Sequence, residues 1–261
     1  MLKQNLSLLA AAAVLASCGG ANNIAEIVTK TIGNDVIVMG ATPDQTSINA
    51  AMLSDASFQP DHDAGALKAW RTPSSADKGY FGQSSSGGSV VFVAGTNGTT
   101  ENILSLAIAR TAPTTLPTSG TTTYTGDYAG VYEHDDTDPD ELDFMTGLVT
   151  GDAEIVADFK NNTVEGTISN RVLRSAVTNE VSSSFDPADV SLSISPLYSD
   201  GSFSGVATGG QLIRTDPSLT GEYQGLISGA ASQEAIGGIR LVHQADPGNS
   251  STIELGVFLA E

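Results

Sequence analysis

Beyond Gly120 the chain alternates. Runs at about residues 121–133, 145–159, 163–171, 189–195, 202–208, 219–229, 234–244 and 252–260 change character at every second position. A period of two marks a strand with unlike faces. In the second run Ala153, Ile155, Ala157 and Phe159 share one side, and Asp152, Glu154 and Asp158 share the other. Val190, Leu192 and Ile194 alternate with Ser191, Ser193 and Ser195; Ile253, Leu255, Val257 and Leu259 alternate with Thr252, Glu254, Gly256 and Phe258. The pattern predicts eight antiparallel strands with the apolar face turned inward and the sheet closed on itself, since eight strands leave an interior that side chains just fill. Closure removes exposed edges. A lipid-facing barrel needs an apolar outer band, and Asp, Glu and Arg at the outer positions exclude it.

One segment of this barrel recurs. Thr125-Gly-Asp-Tyr128-Ala-Gly130 is echoed by Thr220-Gly-Glu-Tyr223-Gln-Gly225. In each, Gly, Tyr and Gly fall on one face, so a large ring lies between two positions without side chains. Alternating small and large residues suit a coiled, tapering barrel. The motif is structural, and neither tyrosine is expected to bind a ligand.

The preceding hundred residues are less regular. Val36–Met39, Ser89–Ala94 and Ile103–Ala109 read as strands, with an Asn-Gly hairpin signal at Gly95-Thr-Asn-Gly98 between the last two. Pro43–Leu53 reads as a short helix capped by Thr42 or Asp44. Residues 54–89 read as polar and irregular. Within them Trp70-Arg71 and Tyr80-Phe81 either form an exposed contact surface or, as expected here, pin a long loop to a small sheet. The segment Thr111–Gly120, with two prolines that cannot donate to a ladder, is a boundary between the halves.

The net charge of −19, with only 11 Lys and Arg, excludes nucleic acid as a partner, because phosphate binding needs clustered cations. It also opposes adsorption to an anionic membrane. Solubility through self-repulsion accounts for the charge; a basic protein or a cation is the alternative. Membrane attachment therefore needs a covalent anchor, and the first residues supply one. Lys3, an apolar run from Leu6 to Ala16 and Ser17 form a secretory signal too short to span a bilayer. It ends at Leu15-Ala-Ser-Cys18, the lipobox pattern of bacterial lipoproteins. Cys18 is the single cysteine of the chain. Its acylation would hold the protein on a membrane without a transmembrane helix. Gly19-Gly20 follows, with no Asp of the kind that marks inner-membrane retention, which points to the outer membrane.

Three pieces of the barrel half carry a resemblance to a known family. They are the Tyr128-Ala-Gly130 strand, the sequence Gly151-Asp-Ala-Glu-Ile-Val-Ala-Asp-Phe159 with its turn into Thr163-Val-Glu-Gly166-Thr-Ile168, and Gly229-Ala-Ala-Ser-Gln-Glu234-Ala-Ile-Gly-Gly238. In that order, over about residues 120–261, they resemble the barrel domain of transferrin-binding protein B-like surface lipoproteins. The resemblance implies an eight-stranded barrel with a handle domain on its amino-terminal side, displayed by a lipid anchor at the bacterial surface. Members of the family capture host iron or haem proteins, complement regulators or haem. This chain holds one handle–barrel unit, is more acidic, and lacks the aromatic Phe-Tyr-Gly expected after the terminal Gly-Ala pair. Fold and placement carry over, and transferrin as the ligand does not. The expected layout is a lipoprotein signal peptide at 1–17, a lipidated Cys, tether and small β-rich handle-like domain at 18–118, and the barrel at 119–261.

Candidate chemistry is sparse. Asp136, Asp138 and Asp140, in the loop His134–Asp143, have the spacing of calcium ligands. They lack the Gly and terminal bidentate Glu of an EF-hand, so a solvated hairpin loop is expected. The three histidines, His62, His134 and His243, lack zinc spacing in the sequence. His62 and His134 are the candidates for clamping haem, and His243 reads as a packing or rim residue. No nucleophile–base pair, zinc-protease motif or phosphate loop is present, so no enzymatic activity and no cofactor are expected. The reading is an all-β, lipid-anchored, outer-membrane or cell-surface binding protein that captures a protein or nutrient ligand. The alternatives are a haem or small-ligand carrier of the same fold and a structural envelope lipoprotein.

Overall fold

A computed structural model of the chain describes residues 35–40, 57–71, 78–95, 104–110, 114–135, 146–175, 180–181, 186–212, 219–244 and 251–261. The expected helix at 43–53 and the Gly95–Gly98 turn beyond Gly95 lie outside them, as do residues 1–34 with Cys18.

The eight alternating runs form a closed barrel. Its strands are β7 (Thr121–Asp135), β8 (Thr146–Asp158), β9 (Thr163–Ser175), β10 (Val190–Pro196), β11 (Ser202–Gly209), β12 (Leu219–Ser228), β13 (Glu234–Gln244) and β14 (Ser251–Ala260). Neighbours in sequence pair antiparallel, and β14 closes onto β7 while β10 pairs with β9. β7 extends through His134 to Asp135, so the connection begins after Asp135 and not at His134.

A six-stranded antiparallel sheet precedes the barrel: β1 (Asp35–Gly40), β2 (Ser57–Phe58), β3 (Leu67–Arg71), β4 (Lys78–Gln83), β5 (Ser89–Gly95) and β6 (Leu104–Arg110), in the order β1-β6-β5-β4-β3-β2. Strands therefore replace much of the loop expected at 54–89. Trp70, Tyr80 and Phe81 are buried in β3 and β4 and do not pin a loop, and Trp70 stacks on Phe92 of β5 at 5.4 Å between centroids. β4 and β5 are buried on both faces, which erases the period-two pattern that would have revealed β4.

Inside the barrel, rings lie over glycines of the adjacent strand. Phe203 covers its register partner Gly225, Phe258 covers Gly237, Tyr132 covers Gly147 and Tyr223 covers Gly205. Tyr128 reaches diagonally over Gly256. The glycines flanking each tyrosine in its own strand are thus half of the device; the other half is a glycine across the ladder. A Cβ at these positions would collide with the ring, and aromatic cover of strand glycines is a recognised device for curved sheets. The expected inward set of β8 is confirmed, with Ala153, Ile155, Ala157 and Phe159 all in this core.

Two face assignments differ from the sequence reading. On β14, Leu255, Val257 and Leu259 point away from the barrel interior into a second core shared with the amino-terminal sheet, while Phe258 and Ala260 point inward. On β10, a register shift between Leu192 and Ser195 turns Ile194 out to 66% exposure. The Tyr223 hydroxyl donates to the Ser193 carbonyl at 2.6 Å within that irregularity. At the β8–β9 turn, Asp158 accepts from the Lys160 and Asn161 backbone amides at 2.9 and 3.0 Å. The Asn161 hydrogen bonds hold its carboxyl below the usual range.

Substituting Gly256 by Val should destabilise the protein by about 1–3 kcal/mol through overpacking against Tyr128. A urea midpoint that falls at unchanged slope would show it, with the exposed Val206→Thr change as the neutral reference.

Candidate binding surface

The barrel has two unlike ends. At one, strands are joined by connections at 159–162, 197–201 and 229–233; at the other, by 136–145, 176–189, 210–218 and 245–250. The long connections contain ten Asp and Glu against a single Arg, and the short ones one Lys and one Asp. Antiparallel topology forces all four long connections to the same end. The amino-terminal sheet has the same orientation: Lys78 at the start of β4 interacts electrostatically with Glu133 near the long-connection end, and Ser86 of the β4–β5 turn and Ser89 at the start of β5 bond to Glu234 near the other. Arg71, Lys78, Gly95 and Leu104, the strand ends of β3 to β6 on that side, therefore lie towards the same end of the barrel strands as Glu133. Surface loops on a rigid scaffold are where binding residues concentrate.

Beneath that end the interior carries a buried ionic cluster. Arg171 of β9 and Glu254 of β14 form an ion pair with both side chains fully buried. The Tyr128 hydroxyl donates to the other Glu254 oxygen at 2.6 Å, and Arg171 also donates to the Ala188 carbonyl at 2.6 Å. Burial, together with the Glu254 carboxylate, raises the Tyr128 pKa well above the ordinary phenol value. Tyr128 thus remains a hydrogen-bond donor throughout the ordinary pH range. With the aromatic core below, the lumen is filled with side chains.

The sheet and the barrel are joined by an apolar core with polar bonds at its margin. Leu67, Tyr80, Val91, Val93, Leu106 and Ile108 of the sheet pack on Ala129, Val131, Ile236, Leu255, Val257 and Leu259 of the barrel wall. Three barrel carboxylates accept from turns of the sheet. Ser89 donates to Glu234 at 2.7 Å and Ser86 donates to its other oxygen. The Ser85 amide donates to Glu261 at 2.6 Å, and the Ala66 amide to Asp127 at 2.7 Å. Gly65, at φ 53, lies against the Asp127 carboxylate where a Cβ would collide. In return Arg110 of β6 donates to the Ile227 carbonyl at 2.9 Å.

The sequence candidates are distributed unevenly. Cys18 and the acids Asp136, Asp138 and Asp140 lie outside the described residues. His62 closes a 3-10 turn at Pro60–His62 in the amino-terminal sheet. His134 is the penultimate residue of β7 and pairs with Thr252 of β14, which on its other side pairs with His243. Among the described residues no group of three or more His, Cys, Asp or Glu could hold a metal ion, and no helix is long and apolar enough to cross a membrane. Sequence reasoning missed Arg171 and Glu254, because alternation cannot single out a charge that faces inward. Glu234, one residue of the Gly229–Gly238 motif, joins the two sheets through its bonds to Ser86 and Ser89.

No family model and no curated protein sequence matches the chain. Solved structures of transferrin-binding protein B are similar to it. Against a point mutant of the Haemophilus parasuis Hp5 protein, the identity is 13% and the TM-score 0.49, over 87% of this chain and 45% of that one. Against an intact protein with N and C lobes the values are 14% and 0.46, over 87% and 46%. Against the isotype 1 protein of serogroup B Neisseria meningitidis they are 13% and 0.45, over 80% and 36%. This chain spans less than half the length of each. These are structures of the family that the barrel motifs resemble.

Two groups give measurable consequences. Replacing Arg171 by Met leaves Glu254 buried without its cation and should cost about 3–5 kcal/mol, most of it regained when Glu254→Gln is added. Chemical denaturation of the two variants checks this. Lys78 is pulled down to about 8, chiefly by burial and further by Arg71, with Glu133 opposing. Its folded pKa is below its unfolded one, so above about pH 8 the unfolded chain binds more protons and stability rises with pH. Lys78→Met should flatten that rise between pH 8 and about 9.5, below the range in which unfolded tyrosines ionise.

Proposed function

We propose that this chain is a lipid-anchored binding lipoprotein of the outer membrane or cell surface, without a catalytic step, that captures a protein or nutrient ligand on the long-connection end of the barrel and the adjoining loops of the amino-terminal sheet. The carrying observation is the difference between the ends. A filled barrel with short, nearly neutral turns at one end and four long, acidic connections at the other has one surface suited to recognition. The lipobox at Cys18 and the family resemblance of the barrel strands support the placement. Residues 1–17 serve as the signal peptide, 18–118 as the anchored tether and handle, and 119–261 as the barrel. Ten carboxylates on the contact end favour a partner with a basic surface, whose approach they accelerate at low salt.

Capture from the native environment with immobilised protein tests the reading. Asp136→Asn, Asp138→Asn and Asp140→Asn together should weaken the captured partner and reduce its salt dependence, while Asp200→Asn at the other end should not. Equal effects at both ends would contradict the assigned surface. Cys18→Ala should move the protein from the membrane to the soluble fraction, and protease added to intact cells should cleave the wild type if it is displayed. Haem added at micromolar concentration separates the carrier alternative: a Soret shift lost in His62→Ala and His134→Ala would support that alternative over protein capture.

A further inference from the structure

The amino-terminal sheet has two covered faces, and the barrel accounts for one of them. Tyr80, Val91, Val93, Leu106 and Ile108 pack on the barrel wall. Their neighbours along each strand point the other way. On that outer face Trp70, Phe81, Phe92, Ala94, Ala107 and Ala109 are all at most 5% exposed, yet they belong neither to the barrel core nor to the core shared with it. Phe81, Phe92 and Ala107 form one row across β4, β5 and β6, and Trp70 stacks on Phe92. An apolar sheet face is kept from water only by a further layer packed on it.

The strand order identifies the chain that can supply this layer. β1 and β2 occupy opposite edges of the sheet, five strand spacings or about 24 Å apart. Residues 41–56 join them. β1 finishes at Gly40, opposite Ser105, and β2 starts at Ser57, opposite Arg71, so both ends of the segment lie at one end of the sheet. The connections 72–77 and 96–103 join adjacent strands and have no edge-to-edge span. With the inner face on the barrel, the path from edge to edge passes over the outer face or round the end of the sheet. Only the first path buries Trp70, Phe81 and Phe92.

We propose that residues 41–56 dock across the outer face of the amino-terminal sheet as an amphipathic helix. The sequence suits the task. A helix over 43–53 spans about 16 Å, and the five flanking residues reach roughly 16 Å more, enough for the crossing. Ile48, Ala51 and Met52 fall on one helical face. Ala94, Ala107 and Ala109 leave a shallow floor beside the rings of Trp70, Phe81 and Phe92, where a helix can lie close. The sheet is then the middle of three layers, between this helix and the barrel wall. Its outer face is withdrawn from ligand capture, and its two edge strands are tied by one covering segment. The docking does not depend on what the long-connection end captures.

Hydrogen–deuterium exchange of the wild-type protein, resolved over peptides from 18–34 and 41–56, is the first test. An isolated helix shorter than about 12 residues is marginal in water, so protection over 46–53 requires docking. Amides there should exchange at least roughly a hundredfold more slowly than in an unstructured chain. The second test reads the contact from Trp70, the single tryptophan. Ile48→Ser with Met52→Ser should shift its emission to longer wavelength and raise its quenching by acrylamide, with the far-UV circular dichroism of the barrel retained. Thr46→Ala, on the opposite helical face, should leave both unchanged. Exchange of 41–56 at the unstructured rate, or protection confined to 18–34, would overturn the proposal. So would a Trp70 that stays shielded in a double variant whose residues 46–53 exchange freely.

Discussion

A barrel wall without a polar side cannot stand alone in water. From Glu254 to Ala260 every residue of β14 is buried, with Phe258 and Ala260 in the lumen and Leu255, Val257 and Leu259 on the outside. β7 and β13 extend the same outer face through Ala129, Val131 and Ile236. Each large apolar side chain left exposed there would forgo about 1.5–3 kcal/mol of burial. The amino-terminal sheet covers this surface. Its own inner face, from Leu67 to Ile108, is equally apolar, so each part supplies the missing half of the other's core. The polar margin then sets the docking position: Asp127, Glu234 and Glu261 accept bonds from defined turns, while Arg110 reaches the Ile227 carbonyl.

The same docking determines what remains for recognition. With one wall covered and the lumen filled by rings over glycines, the barrel has its opposite wall and its two ends. Hydrogen-bonded turns finish one end, as at Asp158, where three donors from Lys160 and Asn161 hold the carboxylate. The long connections and nearly all the loop charge lie at the other. The buried pair of Arg171 and Glu254 underlies that end and links β9 to β14 across the lumen. A buried ion pair adds little net stability compared with an apolar replacement, and its best-attested use is to select one arrangement over others.

Strand positions were legible because alternation survives wherever the two faces differ. All eight barrel strands begin and end within a few residues of the runs read from sequence, and β1, β5 and β6 were visible as apolar runs. Faces were less legible. Ile253, Leu255, Val257 and Leu259 read as an inward set, yet the last three serve the second core, because alternation identifies two faces without saying which one meets the lumen. β4 shows no alternation, because Gly79, Tyr80, Phe81 and Gly82 are buried on both faces. Ile194 followed the pattern of its strand until a register shift displaced it. The Glu234 bonds and the Arg171–Glu254 pair are out of its reach, since both depend on which strands become neighbours after folding.

The shared core should make sheet and barrel one cooperative unit. The chain has one tryptophan, Trp70, and it lies in the amino-terminal sheet, whereas far-UV circular dichroism is dominated by the longer barrel strands. Urea unfolding followed by both signals in one sample compares the two parts directly. Coincident midpoints and slopes are predicted. A Trp70 transition at lower urea with a smaller slope, leaving the barrel signal intact, would show that the sheet leaves the wall before the barrel unfolds and that the two are not one unit.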